Sequence, residues 1–172
     1  RLGRTRDRAA SRGLAPAQED LAAVAALTIS EYVVRLIYRP DLAMPNIITI
    51  GVGLDDRNPN RYVVSMSHAG LGLPERDYYL SDEAELTAIR TAYGEHIARF
   101  LTLAGQSDTG AKAQRILAFE TAIARLHWPI EDRRERERVY NLRSRADIRA
   151  FAPAYPWDLM FQTAELDSAQ EV

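Results

Sequence analysis

The feature that most constrains the fold is a pair of β-type runs joined by a dense turn, with helical patterns on both sides. Residues 47–54 and 61–67 are rich in β-branched residues, and residues 55–60 (Asp-Asp-Arg-Asn-Pro-Asn) are typical turn formers. These runs predict one β-hairpin over about residues 47–67. Because two strands alone are marginally stable in water, the hairpin must lie against helices or join a sheet completed elsewhere.

Helical periodicity accounts for most of the remaining chain. Apolar residues recur at spacings of three and four, which predicts helices over residues 17–38, 82–104, 109–128, 144–151 and 157–165. Asp82 and Glu85 have the spacing of a capping box, and Ser81 is an alternative cap. The short connection after Gly105 favours an antiparallel helical pair. We therefore expect a mainly α fold with one β-hairpin packed on antiparallel helices.

The point at which helical periodicity begins defines the expected domain organisation. Residues 1–16 are rich in arginine, alanine and glycine without periodicity, which predicts a disordered arm followed by one structured region over residues 17–172. No apolar run is long enough for a membrane-spanning helix. The chain does not begin with methionine, so we expect that it starts inside a longer gene product.

Charge argues against a nucleic-acid partner. The formal net charge is −2, so no global positive field attracts a phosphate backbone. Residues 131–149 contain seven arginines, but five acidic residues are interspersed among them. We interpret this stretch as a solvated helix or loop with local ion pairs.

The residues that could carry catalysis are few. The chain has no cysteine, and its three histidines are His68, His96 and His127. None begins the His-Glu-x-x-His motif of zinc hydrolases, and no Gly-x-Ser-x-Gly elbow is present. We therefore predict no catalytic residue and no metal ligand in this chain. Ser67-His68 is interpreted as a strand end entering a turn, and His127-Trp128 as a packed amphipathic pair.

One dense segment, residues 70–80, remains as a candidate site. Its sequence is Gly-Leu-Gly-Leu-Pro-Glu-Arg-Asp-Tyr-Tyr-Leu. Gly70 and Gly72 are expected where the backbone takes a positive φ or approaches another chain closely, and Arg76 and Asp77 are expected to point to different partners. The segment is read as an anchor at the strand-to-helix crossing or as a docking surface for a missing partner, with catalysis a third option. The anchor residues are Gly72, Leu73, Pro74, Arg76, Asp77, Tyr78 and Tyr79.

This segment closely resembles the Gly-Leu-Pro-x-Arg-Asp-Tyr-Tyr stretch in the N-terminal half of neprilysin-family zinc metallopeptidases, which include the oligopeptidase O enzymes. The resemblance continues through the predicted hairpin at residues 50–62, the helix and charged segment at 119–141, and Phe-Ala-Pro and Tyr-x-Trp at 151–157. It covers about residues 45–165 in one order. Leu142-Arg143 departs from the pattern, because family members usually have Pro-Met or similar there.

The resemblance implies a helical cap-lobe fragment, with residues 17–172 forming part of the N-terminal cap region. In that family a C-terminal lobe carries His-Glu-x-x-His and a downstream Glu-x-x-x-Asp, and neither motif occurs here. The chain is thus expected to restrict substrate entry to a zinc-dependent endopeptidase without supplying the zinc site, and to be inactive alone. The implied partners are a missing catalytic lobe and peptide substrates, in the periplasm or cell envelope. The alternative is a free-standing helical module that binds a protein partner without catalysis.

Overall fold

A computed structural model describes residues 15–42, 44, 46–169 and 172 of the chain. Helices dominate this part, and a two-stranded antiparallel sheet accompanies them. The predicted mainly α class with a β-hairpin is therefore confirmed. Residues 1–14 of the predicted disordered arm lie outside the described residues, and Ala15–Ala17 forms one 3₁₀ turn.

The first helical stretch is broken in two. Helix α1 spans Gln18–Ala25 and helix α2 spans Ser30–Ile37, so the single helix predicted over residues 17–38 is wrong. The break lies before Ser30, where the backbone of Ile29 is extended with φ −141° and ψ 160°. A β-branched side chain loses rotamer freedom in a helix, which favours extended backbone at this position. Helix α2 buries two of its side chains, Val34 and Leu36.

The predicted hairpin is confirmed, displaced by one residue at each end. Strand β1 spans Ile48–Asp55 and strand β2 spans Asn58–His68. The strands are antiparallel, with Ile48 opposite His68, and the register is irregular between Leu54 and Asp55. Strand β2 begins three residues earlier than predicted, because Asn58, expected to belong to the turn, already pairs with Asp55.

An antiparallel helical pair follows the hairpin, as predicted. Helix α3 spans Asp77–Leu80, α4 spans Ala84–Leu103 and α5 spans Thr109–Leu126. The Thr102 hydroxyl bonds to that of Thr109 at 3.2 Å, and further along the pair the Tyr93 hydroxyl donates to Glu120 at 3.0 Å. The first contact joins the end of α4 to the start of α5, and the second joins an earlier residue of α4 to a later residue of α5, so the two helices are antiparallel.

The start of α4 in the structure differs from the predicted one. The capping box expected from Asp82 and Glu85 does not form, because Glu83 occupies the N-cap position and its side chain makes no capping bond. Ser81 Oγ instead accepts a hydrogen bond from the Glu83 backbone N–H at 3.1 Å. The serine therefore supports the turn that precedes the helix.

The charged stretch contains two single-turn helices, α6 at Ile130–Arg133 and α7 at Arg136–Val139. Arg138 pairs with Asp132 within the stretch, and Glu137 pairs with Arg57 at the hairpin turn. The predicted local ion pairs are confirmed. Arg57, Glu137 and Arg138 are exposed and Asp132 is partly exposed, and ion pairs so open to water contribute little to stability.

Two later helices complete the hairpin's hydrophobic core: α8 at Arg145–Phe151 and α9 at Trp157–Thr163. Burial of apolar surface between these helices, α2 and β2 drives the packing. The buried cluster consists of Val34, Tyr38, Val64, Ile148, Trp157, Met160 and Phe161. The helices that cover the hairpin are therefore α2, α8 and α9, while the antiparallel pair meets it at the open end, beside His68.

Candidate functional site

Residues 70–80, called the motif segment below, connect β2 to the helical pair. The segment begins with a turn at Gly70, whose φ is +89°. This backbone conformation favours glycine. A Cβ on Gly70 would also lie only 3.0 Å from the Ile47 side chain. The prediction of a positive φ at Gly70 is confirmed.

Gly72 is needed for a different reason, the close approach of the backbone to the helical pair. A Cβ at this position would overlap the hydroxyl of Tyr93 on α4 and lie 3.3 Å from Glu120 Oε1 on α5. The close neighbours belong to the same chain. Glycine thus brings the motif segment directly against the two helices.

A hydrogen-bond network centred on Glu120 attaches the motif segment to α4 and α5. The buried Tyr79 donates its hydroxyl to Glu120 Oε2 at 2.7 Å and accepts the Leu73 backbone N–H at 2.8 Å. Tyr93 donates to the other carboxylate oxygen, Oε1, at 3.0 Å. Desolvation and the neighbouring carboxylate raise the pKa of Tyr79, and they raise that of Tyr93 to about 12. Both hydroxyls therefore remain protonated donors at neutral pH.

The other anchor residues have more modest contacts. Arg76 Nε lies 3.5 Å from the Ala124 carbonyl oxygen, and its guanidinium is 3.7 Å from Asp77 Oδ1. The expectation that Arg76 and Asp77 point to different partners is therefore only partly correct. The Tyr78 carbonyl accepts a hydrogen bond from Arg90 at 3.1 Å, and Pro74 is exposed. An anchoring role for the whole set stays a prediction.

A second attachment, which sequence reasoning missed, is centred on Asp55 at the hairpin turn. This carboxylate is 2% exposed and accepts hydrogen bonds from the Arg57 N–H at 2.8 Å, Arg61 Nε at 2.7 Å and the Tyr140 hydroxyl at 2.9 Å. The backbone bond from Arg57 and the side-chain bonds from Arg61 and Tyr140 lower the pKa of Asp55 to about 2. Asp55 thereby connects the hairpin to the residue that follows α7.

Glu120 was also missed as a functional residue. The sequence did offer one chemical argument for such a residue, because a buried tyrosine hydroxyl requires a hydrogen-bond acceptor. That requirement does not identify which acidic residue supplies it, since Glu120 lies 41 positions from Tyr79. Asp55 gave no signal beyond its place among turn-forming residues.

The histidines are arranged differently from what the sequence suggested. The rings of His68 and His127 are in contact, with centroids 3.9 Å apart. His127 therefore packs against another histidine, while Trp128 is 42% exposed and lies under the Arg138 guanidinium. Ser67 Oγ pairs with Thr49 Oγ1 at 2.7 Å across the hairpin, so Ser67 and His68 do not form a catalytic dyad.

The contacts of the motif segment join it to α4 and α5 through hydrogen bonds and close packing. Among the described residues, no cluster of three histidine, cysteine or acidic side chains could hold a metal ion. The donor set in this part of the chain does not fit zinc. Within the same residues, no helix combines the length and apolar character needed to cross a bilayer.

This chain is similar to known metallopeptidases over most of its length. The model of the N-terminal region of peptidase family M13 matches residues 4–172. Endothelin-converting enzyme 1 of Cavia porcellus is 33% identical over 131 residues, which cover 72% of this chain and 17% of the relative. Neprilysin-3 of Drosophila melanogaster is 31% identical over 115 residues, covering 66% of this chain and 15% of the relative.

The fold agrees with a solved structure. Zinc metalloprotease ZMP1 of Mycobacterium tuberculosis, in complex with an inhibitor, superimposes with a TM-score of 0.87 at 26% identity. The match covers 96% of this chain and 26% of the ZMP1 chain. This chain therefore spans about a sixth to a quarter of the length of these relatives. With a family model matched over nearly its whole length, the chain belongs to peptidase family M13, the neprilysin-type metallopeptidases, and corresponds to their N-terminal region.

Proposed function

We propose that this chain is the cavity-capping part of a zinc-dependent metalloendopeptidase and that it restricts which peptides enter. The observation that carries the proposal is the match of residues 4–172 to the N-terminal region of family M13. Relatives with that region include a zinc metalloprotease and endothelin-converting enzymes, and each is several times longer than this chain. In the intact enzyme, the bound zinc would activate water for attack on a peptide carbonyl.

The zinc site is proposed to lie outside this chain. The sequence lacks His-Glu-x-x-His, and the described residues offer no set of three suitable ligands. Three protein ligands are the usual minimum for a catalytic zinc site. This chain would then supply walls and positioning for the chamber, with no catalytic residue of its own.

The partner of this region is proposed to be the catalytic lobe of the same enzyme. Several large apolar side chains on the helical pair are more than half exposed, namely Phe100, Leu103, Phe119 and Leu126. Exposed apolar surface of this kind supports coverage by further protein. Periplasmic or cell-envelope placement is proposed on the family resemblance.

The experiment compares peptide-length selectivity in the full-length enzyme with and without an intact anchor. The variants are Tyr79→Phe, which loses the bond to Glu120, and Tyr78→Phe, whose hydroxyl has no such role in the described structure. We expect Tyr79→Phe to raise kcat/KM for long peptides relative to short ones, with one zinc retained per chain. Unchanged length selectivity in Tyr79→Phe, with its stability measurably reduced, would contradict a capping role.

The alternative of a free-standing binding module makes a different physical prediction. A region that normally packs against a larger lobe exposes apolar surface, so the folded chain alone should self-associate at high concentration or have a low free energy of unfolding. Size-exclusion chromatography and urea unfolding of the 172-residue chain provide the comparison. A monodisperse monomer with a cooperative, stable unfolding transition would favour the module.

A further inference from the structure

The His68–His127 contact joins two parts of the chain that are far apart in sequence. His68 is the last residue of β2, and His127 directly follows α5. Their rings are tilted by 39° with centroids 3.9 Å apart. His68 is exposed and His127 is half-buried. The pair therefore connects the open end of the hairpin to the end of the helical pair.

His127 also holds the turn through which the chain leaves the hairpin. Its Nε2 lies 3.1 Å from the carbonyl oxygen of Ala69, the residue before Gly70. A ring with its proton on Nε2 donates a hydrogen bond here. On the same side, a Cβ on Gly70 would lie 3.4 Å from the Ile123 side chain of α5. The turn is thus packed on α5 as well as hydrogen-bonded to the residue after it.

The charges around the two rings disfavour further positive charge. Glu75 and Arg76 face the pair from the motif segment, and Arg133 faces it from α6. The Glu75 carboxylate is already paired with Arg133. Protonating both histidines would place two additional cations beside two arginines and this single carboxylate. Like charges in contact repel, more strongly where water is partly excluded.

The pKa directions agree with this charge distribution. Desolvation, then His127 and Arg133, lowers the pKa of His68, against a smaller opposing effect of Glu75. Desolvation is also the main cause that lowers the pKa of His127, against its bond to Ala69. Folded-state pKa values below the ordinary 6.5 mean that the unfolded chain takes up these protons first. The stability from the pair is complete above about pH 6.5 and is lost as the pH falls through the folded pKa values.

We propose that the His68–His127 pair is an acid-sensitive joint between the hairpin and the helical pair. The joint is closed at neutral pH and loosens when both rings carry a proton. Separation of the rings withdraws the support of His68 from the turn at Ala69 and Gly70 and from the start of the motif segment, while protonated His127 still donates from Nε2 to Ala69. This property belongs to the chain itself and does not depend on peptidase activity.

The chain offers an unusually direct test because it has three histidines, of which His96 is exposed on α4 and outside the pair. NMR titration of the ring signals is measured in the 172-residue chain and in three single variants. His127→Gln keeps a side-chain donor for Ala69 but removes one charge, so the titration midpoint of His68 should rise. His68→Gln should likewise raise the midpoint of His127, because electrostatic coupling is reciprocal. His96→Gln should move neither midpoint.

Hydrogen exchange tests whether protonation loosens the joint. Between about pH 7.5 and pH 5, intrinsic-rate-corrected exchange of the amides of residues 69–73 should become several-fold faster in the unmodified chain and in His96→Gln. The double variant His68→Gln/His127→Gln should lose this acceleration. Midpoints that do not move in the single variants, or acceleration that persists in the double variant, would overturn the proposal.

Discussion

At the scale of single residues, Glu120 is the acceptor on which the motif segment depends. Its two carboxylate oxygens receive the hydroxyls of Tyr79 and Tyr93, and Tyr79 in turn receives the Leu73 N–H. One side chain on α5 therefore connects the motif segment with both long helices. The effect of removing it should exceed that of a typical surface change, because two partly buried donors would lose their partner.

Glu120→Ala is expected to lower the free energy of unfolding by about 1–3 kcal/mol, the usual cost of leaving buried polar groups unsatisfied. Urea unfolding of the chain measures the change. Glu95→Ala on the exposed side of α4 is the matched control and should stay within about 0.5 kcal/mol of the unmodified chain. Equal effects of the two substitutions would show that the network contributes nothing specific.

Gly72 gives a steric test of the same attachment. Gly72→Ala places a methyl group on the Tyr93 hydroxyl, so Tyr93 must move and its bond to Glu120 must weaken. We expect a loss of about 1–3 kcal/mol in the free energy of unfolding, as for overpacked sites. Gly53→Ala on β1 meets nothing within 4 Å and serves as the control. A Gly72→Ala chain as stable as Gly53→Ala would contradict the close approach.

At the scale of elements, the short helices stabilise the hairpin. Met160 and Phe161 on α9 are 0% and 1% exposed, and they belong to the cluster that covers β2. Two strands with one face open to water would be marginal by themselves. The hairpin therefore depends on helices that follow it by nearly a hundred residues in the chain.

A matched pair of phenylalanines tests this dependence. Phe161→Ala should lower the free energy of unfolding by about 3–5 kcal/mol, because it removes a fully buried aromatic side chain and leaves a cavity. Phe151→Ala, at a residue that is 90% exposed, should change it by less than about 0.5 kcal/mol. Circular dichroism during thermal unfolding distinguishes them. A small effect of Phe161→Ala would mean that α9 is not part of the hairpin's core.

The hairpin turn has its own pH dependence through Asp55. Its folded pKa of about 2 lies below the ordinary value of 3.8, so the ionised form is favoured by folding. Its contribution to stability is present above about pH 3.8 and is lost as the pH falls toward about 2. Asp55→Asn should reduce the slope of unfolding free energy against pH in this window. The control is Asp56→Asn, at an exposed residue, which should leave the slope unchanged. An unchanged slope in Asp55→Asn would contradict this role of Asp55.

The sequence predicted what depends on local pattern and missed what depends on distant partners. The hairpin, both long helices and the short helices α8 and α9 follow from periodicity and turn residues, which act over a few positions. The break before Ser30 was missed because the apolar residues keep their helical spacing across it. The backbone, however, leaves the helical conformation at Ile29. Glu120, Asp55 and the histidine pair were missed because each acquires its partners only when remote segments pack together.

At the scale of the whole molecule, the chain has the fold of one region of a much larger enzyme. The superposition on ZMP1 includes 96% of this chain and 26% of the ZMP1 chain, with a TM-score of 0.87. Its networks attach segments to one another, and its described residues contain no metal-ligating cluster. Under the proposed function, it shapes access to a catalytic centre supplied by the rest of the protein.

The most direct test measures peptide hydrolysis and zinc content for the 172-residue chain and for the full-length enzyme side by side. We expect chelator-sensitive cleavage and one bound zinc for the full-length enzyme, and neither for the chain alone. When the chain is mixed with a separately produced catalytic lobe, the mixture should regain the preference for short peptides that is expected of the full-length enzyme. Chelator-sensitive hydrolysis at enzyme-like rates by the pure chain would contradict the proposal that the catalytic zinc site lies outside this chain.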